Sequence, residues 1–121
     1  MNDGIERVSP PEIDTAAMPT LDVRTHQGKE QIRGALRYDP KRLLAEEHLT
    51  LPIAHDARIV VYGDNEEQAA RVAAHLREQG YSDAAVLAGG FEAYRDAGLP
   101  VEGATQEQPI PGQEGAGIPR G

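Results

Sequence analysis

The sequence of 121 residues contains no cysteine and no tryptophan, and it has only one phenylalanine and four tyrosines. Without cysteine, these residues cannot form disulfides, cysteine-ligated metal sites or a thiolate nucleophile. Because aromatic side chains are so few, we expect a core of closely packed Ala, Val, Leu and Ile. No apolar run approaches the roughly 20 residues that are needed to span a bilayer.

Basic residues are outnumbered, with 12 Lys and Arg against 20 Asp and Glu, and the net charge is −8. A negative surface repels nucleic acids and anionic membranes, so we expect neither as a partner. The first residues, Met1–Gly4, are polar and lack the basic region of a signal peptide. The sequence therefore predicts a cytoplasmic protein.

Three short apolar segments predict β-strands, at residues 20–23, 58–62 and 84–87. The middle segment is a continuous apolar run, which is typical of a strand buried on both faces of a parallel sheet. Residues 5–8 and 35–38 predict two shorter strands, the first of them at an edge of the sheet.

Helices are predicted between these strands. The clearest spans Glu66–Gln79, where apolar residues repeat at helical spacing on one face. Asp64 or Asn65 is expected to cap its first turn, and Gly80 is placed to end it.

Three shorter helices are predicted as well. A capping box begins at Ser9, a second helix starts at Asp39, and a third spans Phe91–Ala97. Strands that alternate with helices in this way predict an α/β fold whose parallel sheet is covered on both faces.

The last eighteen residues differ from the rest in composition. Residues 104–121 contain four Gly and three Pro, and their only large apolar side chains are Ile110 and Ile118. Such a segment buries too little surface to offset the entropy of ordering. We therefore predict one folded domain over residues 1–103 and a disordered tail over 104–121.

Three groups of residues together resemble the rhodanese (sulfurtransferase) family. Similarity to the family's motifs extends, in register, over about residues 5–102. The matching segments are Leu21–Arg24 followed by Ile32–Ala35, Ile59–Tyr62 followed by the Ala-rich helix and Gly80-Tyr81, and Leu87–Arg95 followed by Gly98–Val101. The resemblance implies a three-layer rhodanese-like fold in which a five-stranded parallel sheet is flanked by helices.

The sequence departs from the family at the position of its nucleophile. In active members the residue after the Val-Val-Tyr strand is a cysteine that carries the transferred sulfur, and here it is Gly63. The loop arginine and the hydroxyl residue of the family correspond to Gln68 and Ala69. Sulfur transfer needs a thiolate that attacks the donor, and glycine has no side chain to supply one.

The corresponding active-site loop consists of Gly63, Asp64, Asn65, Glu66, Glu67 and Gln68. Carboxylates in the first turn of a helix stabilise it through the helix dipole. They also oppose the field that would attract an anionic donor to the helix N-terminus. We therefore expect poor anion binding at this loop and interpret Asp64 as a helix cap.

Three residues near the end of the first predicted central strand are assigned supporting positions. Asp22 and Arg24 are interpreted as a structural ion pair under the loop, and His26 follows them at the edge where open α/β sheets place their sites. The four histidines have no metal-ligand spacing, so we predict neither a metal nor a cofactor.

The sequence thus favours a catalytically inactive rhodanese-like domain that acts as a binding or regulatory module for a protein partner. The alternative is an enzyme with non-cysteine chemistry at the same loop, using Asp64, His26 and Arg24. A third possibility is a scaffold whose partner binds elsewhere.

Overall fold

A five-stranded parallel sheet forms the centre of the molecule. The computed structural model describes residues 4–25 and 28–107. Within these residues the strands are β1 (Arg7–Val8), β2 (Thr20–Asp22), β3 (Glu30–Ile32), β4 (Leu36–Arg37), β5 (Arg58–Tyr62), β6 (Asp83–Leu87) and β7 (Val101–Gly103). The parallel sheet has the order β1-β6-β5-β2-β4, which places the continuous apolar run of β5 at its centre.

Helices cover both faces of this sheet. The described helices are α1 (Pro40–Ala45), α2 (Glu66–Glu78) and α3 (Gly90–Asp96), with a 3-10 turn at Pro10–Glu12. Ile59 and Val61 of β5 belong to a core cluster shared with α2, whereas Val60 and Tyr62 belong to a second cluster with Tyr94 of α3. The alternating side chains of one strand therefore supply both layers of core.

The predicted α/β fold with a five-stranded parallel sheet flanked by helices is confirmed. The capped start of α1 is confirmed too, since the Asp39 side chain accepts a hydrogen bond from the backbone N–H of Lys41 at 2.9 Å. Gly80 adopts a positive φ of 98° just after α2, as a helix-ending glycine does. No helix among the described residues is long and apolar enough to cross a membrane.

The core is more aromatic than its composition suggested. All four tyrosines are at most 1% exposed and are the largest side chains among those that are fully buried. The expected core of Ala, Val, Leu and Ile is present, but the four tyrosines belong to it as well, which was not predicted. Three of the four hydroxyl groups form hydrogen bonds that allow this burial: Tyr62 to Asp22, Tyr81 to the backbone of Leu51, and Tyr94 to the backbone of Pro100.

A second, two-stranded antiparallel sheet was not predicted. It pairs β3 with β7, with Gln31 opposite Glu102. The Gln31 side chain is fully buried and donates to the Ala35 carbonyl and to Glu102. Its Oε1 accepts two hydrogen bonds from Thr105, one from the backbone N–H at 3.0 Å and one from Oγ1 at 3.1 Å. We call this group of contacts the Gln31 clasp.

The Gln31 clasp bears on the predicted domain boundary at residues 103/104. The first four residues of the predicted tail are described and lie against the domain. Ala104 donates its N–H to the Lys29 carbonyl, and Glu107 forms a parallel bridge with Arg37. The rest of the predicted tail, residues 108–121, lies outside the described residues.

The Gln31 clasp predicts where the chain can be shortened without loss of stability. A chain that ends at Gly103 loses both donors of Thr105 and leaves the buried Gln31 oxygen without its partners, which costs about 1 kcal/mol or more. The melting temperature should fall by roughly 4–8 °C, since a domain of this size responds by that much per kcal/mol.

The matched control is a chain that ends at Glu107, which keeps the clasp and should melt within a few degrees of the full chain. Calorimetry on the three chains measures the difference. Equal melting temperatures for the two shortened chains would contradict a stabilising role for the clasp.

Candidate functional site

An open depression lies at the carboxyl ends of β2 and β5, the edge at which parallel α/β sheets place their sites. Its volume is about 690 Å³. Three elements line it, namely the segment after β2, the predicted loop after β5, and the start of α3. The lining residues are Arg24, Thr25, Gly63, Asp64, Asn65, Glu66, Gly89, Gly90, Phe91 and Glu92.

Asp22 and Arg24 form the ion pair that the sequence predicted, at one side of this depression. The Asp22 carboxylate is 0% exposed and accepts hydrogen bonds from Arg24 Nη2 at 2.7 Å, from Arg24 Nε at 3.0 Å and from the Arg24 backbone N–H at 3.0 Å. It also accepts the Tyr62 hydroxyl at 3.2 Å. Such a buried carboxylate is tolerated because each of its oxygens has a partner.

The Arg24 guanidinium lies close to two aromatic rings. Its central carbon lies 5.3 Å from the Tyr62 ring centroid and 4.7 Å from that of Phe91, and Nη2 also donates to the Glu30 carbonyl. Burial alone would lower the pKa of Arg24, but the hydrogen bonds and negative charge of Asp22 outweigh it, so the net pKa is raised. Arg24 therefore remains a fixed cation and cannot serve as a base.

Gly63 lines the depression directly after β5, at the position the resemblance assigned to the nucleophile. Its backbone lies outside the left-handed region, so the residue is not required there for its conformation. The Gln68 side chain fills the space beside it. A Cβ at position 63 would overlap Gln68 Oε1 and lie 3.1 Å from Val23 Cγ2.

Gln68 also uses one of the loop's backbone donors. Its Oε1 accepts a hydrogen bond from the backbone N–H of Asp64. In an anion-binding loop such an N–H group would face the ligand. The Gln68 carboxamide therefore occupies the space where a side chain at position 63 would begin, and it takes up one backbone donor that an anion could otherwise use.

Of the two caps predicted for α2, Asn65 is confirmed, and the interpretation of Asp64 as the cap is wrong. Asn65 is the cap, because its side chain accepts from the backbone N–H of Gln68 at 2.8 Å. The Asp64 carboxylate instead reaches the segment after β2, where it accepts from the backbone N–H of Thr25 at 2.9 Å and from the Thr25 hydroxyl at 2.5 Å. Asp64 thus ties together two loops that are 39 positions apart.

The two glutamates of the loop have different surroundings. Glu66 lines the depression, accepts from Arg7 Nε at 3.1 Å and from the Gly89 backbone N–H at 2.8 Å, and so links the loop to β1 and to the turn before α3. Glu67 points into solvent with its side chain 86% exposed, and it pairs with Arg71 one turn later. Only Glu66 therefore belongs to the site itself.

His26 lies outside the described residues. Asp64 and Arg24, the other two members of the alternative catalytic group, both line the depression, but their side chains bind Thr25 and Asp22 respectively. Within the described residues, no group of three or more His, Asp or Glu side chains is placed to hold a metal ion.

Five lining residues were not predicted as part of the site, namely Thr25, Gly89, Gly90, Phe91 and Glu92. A signal for Thr25 was available, since it follows β2 at the same sheet edge as the loop after β5. Glu92 stands within the Leu87–Arg95 motif, but no local pattern marks its side chain as part of the site.

Comparison with known proteins identifies the family. A model of the rhodanese-like domain matches residues 11–97. A thiosulfate sulfurtransferase of Escherichia coli K12, YnjE, is 43% identical over 53 residues, which are 44% of this chain and 12% of that protein. The crystal structure of a thiosulfate sulfurtransferase from Pseudomonas aeruginosa superposes with a TM-score of 0.66 at 32% identity, over 80% of this chain and 20% of that one.

A rhodanese-like domain of the Alr3790 protein from Anabaena superposes with a TM-score of 0.62 at 28% identity, over 71% of this chain and 99% of that one. The chain therefore belongs to the rhodanese-like domain family. It spans only a small part of the two full sulfurtransferases, and it lacks the cysteine of the family's active members at Gly63.

The Asp22–Arg24 ion pair predicts that a nearly isosteric substitution of Asp22 greatly lowers the free energy of unfolding. Asp22→Asn keeps the shape of the side chain but leaves Arg24 without its counter-charge, which for a buried pair costs about 3 kcal/mol or more. Urea denaturation followed by circular dichroism measures the loss. The matched control, Asp56→Asn at an exposed position, should change the free energy of unfolding by less than about 0.5 kcal/mol. A loss below about 1 kcal/mol for Asp22→Asn would contradict this view of the pair.

Proposed function

We propose that this rhodanese-like domain has no sulfurtransferase activity and works as a binding or regulatory module for a protein partner. The observation that carries the proposal is the replacement of the nucleophile by Gly63 together with the Gln68 carboxamide that lies over it. Persulfide formation requires a thiolate at this point, and none of the 121 residues can supply one.

The charges around the depression support the same conclusion. Asp64, Glu66 and Glu92 line it, and among the described residues its one lining cation, Arg24, is already paired with Asp22. Sulfur donors of the thiosulfate type are anions, and a site with this balance of charge repels them. Poor anion binding therefore accompanies the missing nucleophile.

A binding role is supported by the side-chain contacts that hold the loop after β5 in place. The loop after β5 is joined to the segment after β2 by Asp64 and to the turn before α3 by Glu66, so its shape is fixed by side chains rather than by a ligand. A loop that is rigid and partly exposed presents its surface without the entropy cost of ordering on binding. We assign the surface of residues 63–68 to a protein partner.

Activity assays test the catalytic half of the proposal. The purified protein should produce no thiocyanate from thiosulfate and cyanide above a heat-treated control. Gly63→Cys alone should stay inactive, because nearby carboxylates raise the pKa of a thiol and Gln68 stands where the family has its loop arginine; the Gln68 side chain, whose end overlaps the new Cβ, would only have to swing aside.

Gly63→Cys combined with Glu66→Gly and Gln68→Arg should have a lower thiol pKa and clearly higher turnover than the single variant. The pKa is measured from the rate of alkylation against pH. Turnover by the unmodified protein would contradict the proposal directly. A single variant as active as the triple one would show that the missing cysteine alone explains inactivity.

Charge reversal on the loop tests the binding half. Glu67→Lys alters the exposed surface of the loop without touching a contact that shapes the site, because among residues 4–25 and 28–107 the ion pair of Glu67 is with Arg71, at 3.7 Å. A partner isolated from the native host with the unmodified domain should bind Glu67→Lys at least about fivefold more weakly in a direct titration, which corresponds to about 1 kcal/mol.

Glu78→Lys, at the other end of α2, is the matched control and should bind normally. Equal affinities for the two variants would place the partner on another surface and contradict the assignment to residues 63–68.

A further inference from the structure

Positive charge is concentrated in one part of the chain. Residues 24–42 hold six of the 12 Lys and Arg but only two of the 20 Asp and Glu. This segment therefore carries +4, whereas the rest of the chain carries −12. So strong a separation in an acidic protein points to an anionic partner for the basic part.

The fold brings several of these cations together beside β4 and the start of α1. A depression of about 260 Å³ there is lined by Arg24, Arg37 and Lys41, with Asp39 and Glu107 as its acidic members. Arg42 lies next to it and contacts Glu107. We call the group Arg37, Lys41 and Arg42 the basic corner.

Arg37 supplies a positive charge that the interior does not balance. Arg24 and Arg37 share the single buried carboxylate of Asp22, which leaves the group with a net charge of +1. Arg37 Nη1 lies 3.8 Å from Asp22 Oδ1, too far for a hydrogen bond, and has no hydrogen-bond partner among the described residues. Because Nη1 is buried, an anion in the depression would act on the charge of Arg37 at a distance and would not contact this nitrogen.

A carboxylate of the chain itself already lies at the basic corner. Glu107 runs parallel to β4, the outer strand of the sheet, and bridges to Arg37 through the backbone. Its Oε2 lies 3.4 Å from Arg42 Nη1, and these two side chains are 39% and 55% exposed. An exposed pair of this kind is weak and is readily displaced.

We infer that the basic corner is a docking surface for an acidic, extended segment of a partner protein. The segment would lie beside Glu107, which already occupies the outer edge of β4, and would compete with the Glu107 side chain for Arg42 while directing a further carboxylate at Lys41. Exposed cations of this kind recognise carboxylates through charge, so the affinity should fall as ionic strength rises. The surface differs from residues 63–68, so the inference goes beyond the proposed function and does not depend on it.

An acidic peptide fits this surface better than a nucleic acid does. The excess of −12 elsewhere in the chain repels a long polyanion. Single-stranded nucleic acids also need exposed aromatic rings for stacking, and the aromatic residue next to Arg37, Tyr38, is 1% exposed. The contact already present is that of a carboxylate on an extended backbone.

Titration of the full chain with a fluorescein-labelled hexaglutamate peptide at low ionic strength tests the inference. Glu107→Gln removes the internal competitor and should tighten binding about two- to fivefold, the range expected for one exposed ion pair. Lys41→Gln and Arg42→Gln, both at exposed positions, should each weaken binding by a similar factor. Arg71→Gln, on the exposed face of α2, makes the same change of charge away from the basic corner and should have no effect.

The outcomes separate the alternatives. Saturable binding that responds to these variants as stated, with loss of the Arg42–Glu107 contact in nuclear magnetic resonance spectra, supports the docking surface. No saturable binding even to Glu107→Gln, or equal weakening by Arg71→Gln, overturns it. Tighter binding of a decathymidylate than of hexaglutamate would assign the basic corner to nucleic acid and also overturn the inference. None of these results bears on thiosulfate turnover.

Discussion

The arrangement of the site depends on one buried carboxylate. Asp22 is the last residue of β2 and is joined to Arg24, to the Tyr62 hydroxyl at the end of β5 and, at longer range, to Arg37 at the end of β4. Tyr62 in turn accepts the backbone N–H of Ile32 in β3. Because a carboxylate in the interior must have its partners, it fixes the relative positions of three neighbouring strand ends.

That constraint explains how a rhodanese-like site keeps its shape without its nucleophile. Arg24 is positioned by Asp22 and by the rings of Tyr62 and Phe91, and none of these contacts passes through Gly63. The contacts that position Arg24 therefore do not depend on which residue occupies position 63. A rhodanese-like domain without the cysteine can still have a well-defined surface at this loop.

The parts of the fold that follow from local sequence were predictable. The continuous apolar run of β5, the Ala-rich face of α2 and the cap at Asp39 each result from residues within a few positions of one another. The strand β3 was not predictable in this way. Its central residue, Gln31, is polar and is buried only because Glu102 and Thr105, more than 70 positions later, provide its partners.

The site shows the same division between local and distant causes. The glycine at the nucleophile position and the acidic first turn of α2 can be identified from the sequence. Two adjacent residues, Asp64 and Asn65, were equally suited to cap α2, and the choice between them depends on Thr25, which lies 39 positions from Asp64. The Gln68 side chain lies beside Gly63 because of the conformation that it adopts, and the sequence alone does not predict that conformation.

The Gln31 clasp also has a consequence for the order in which the domain can be completed during synthesis. Gln31 leaves the ribosome early, but the donors that satisfy its buried oxygen belong to Thr105, which is 74 residues further along. Similarly, β1 waits for β6 before it has a neighbour in the sheet. A nascent chain that has reached only α3 already contains β6, but it still lacks β7 beside β3 and the Thr105 donors of Gln31. An unpaired strand and an unpaired amide are features that bind chaperones and promote aggregation. Completion of this small domain is coupled to the arrival of its last described residues.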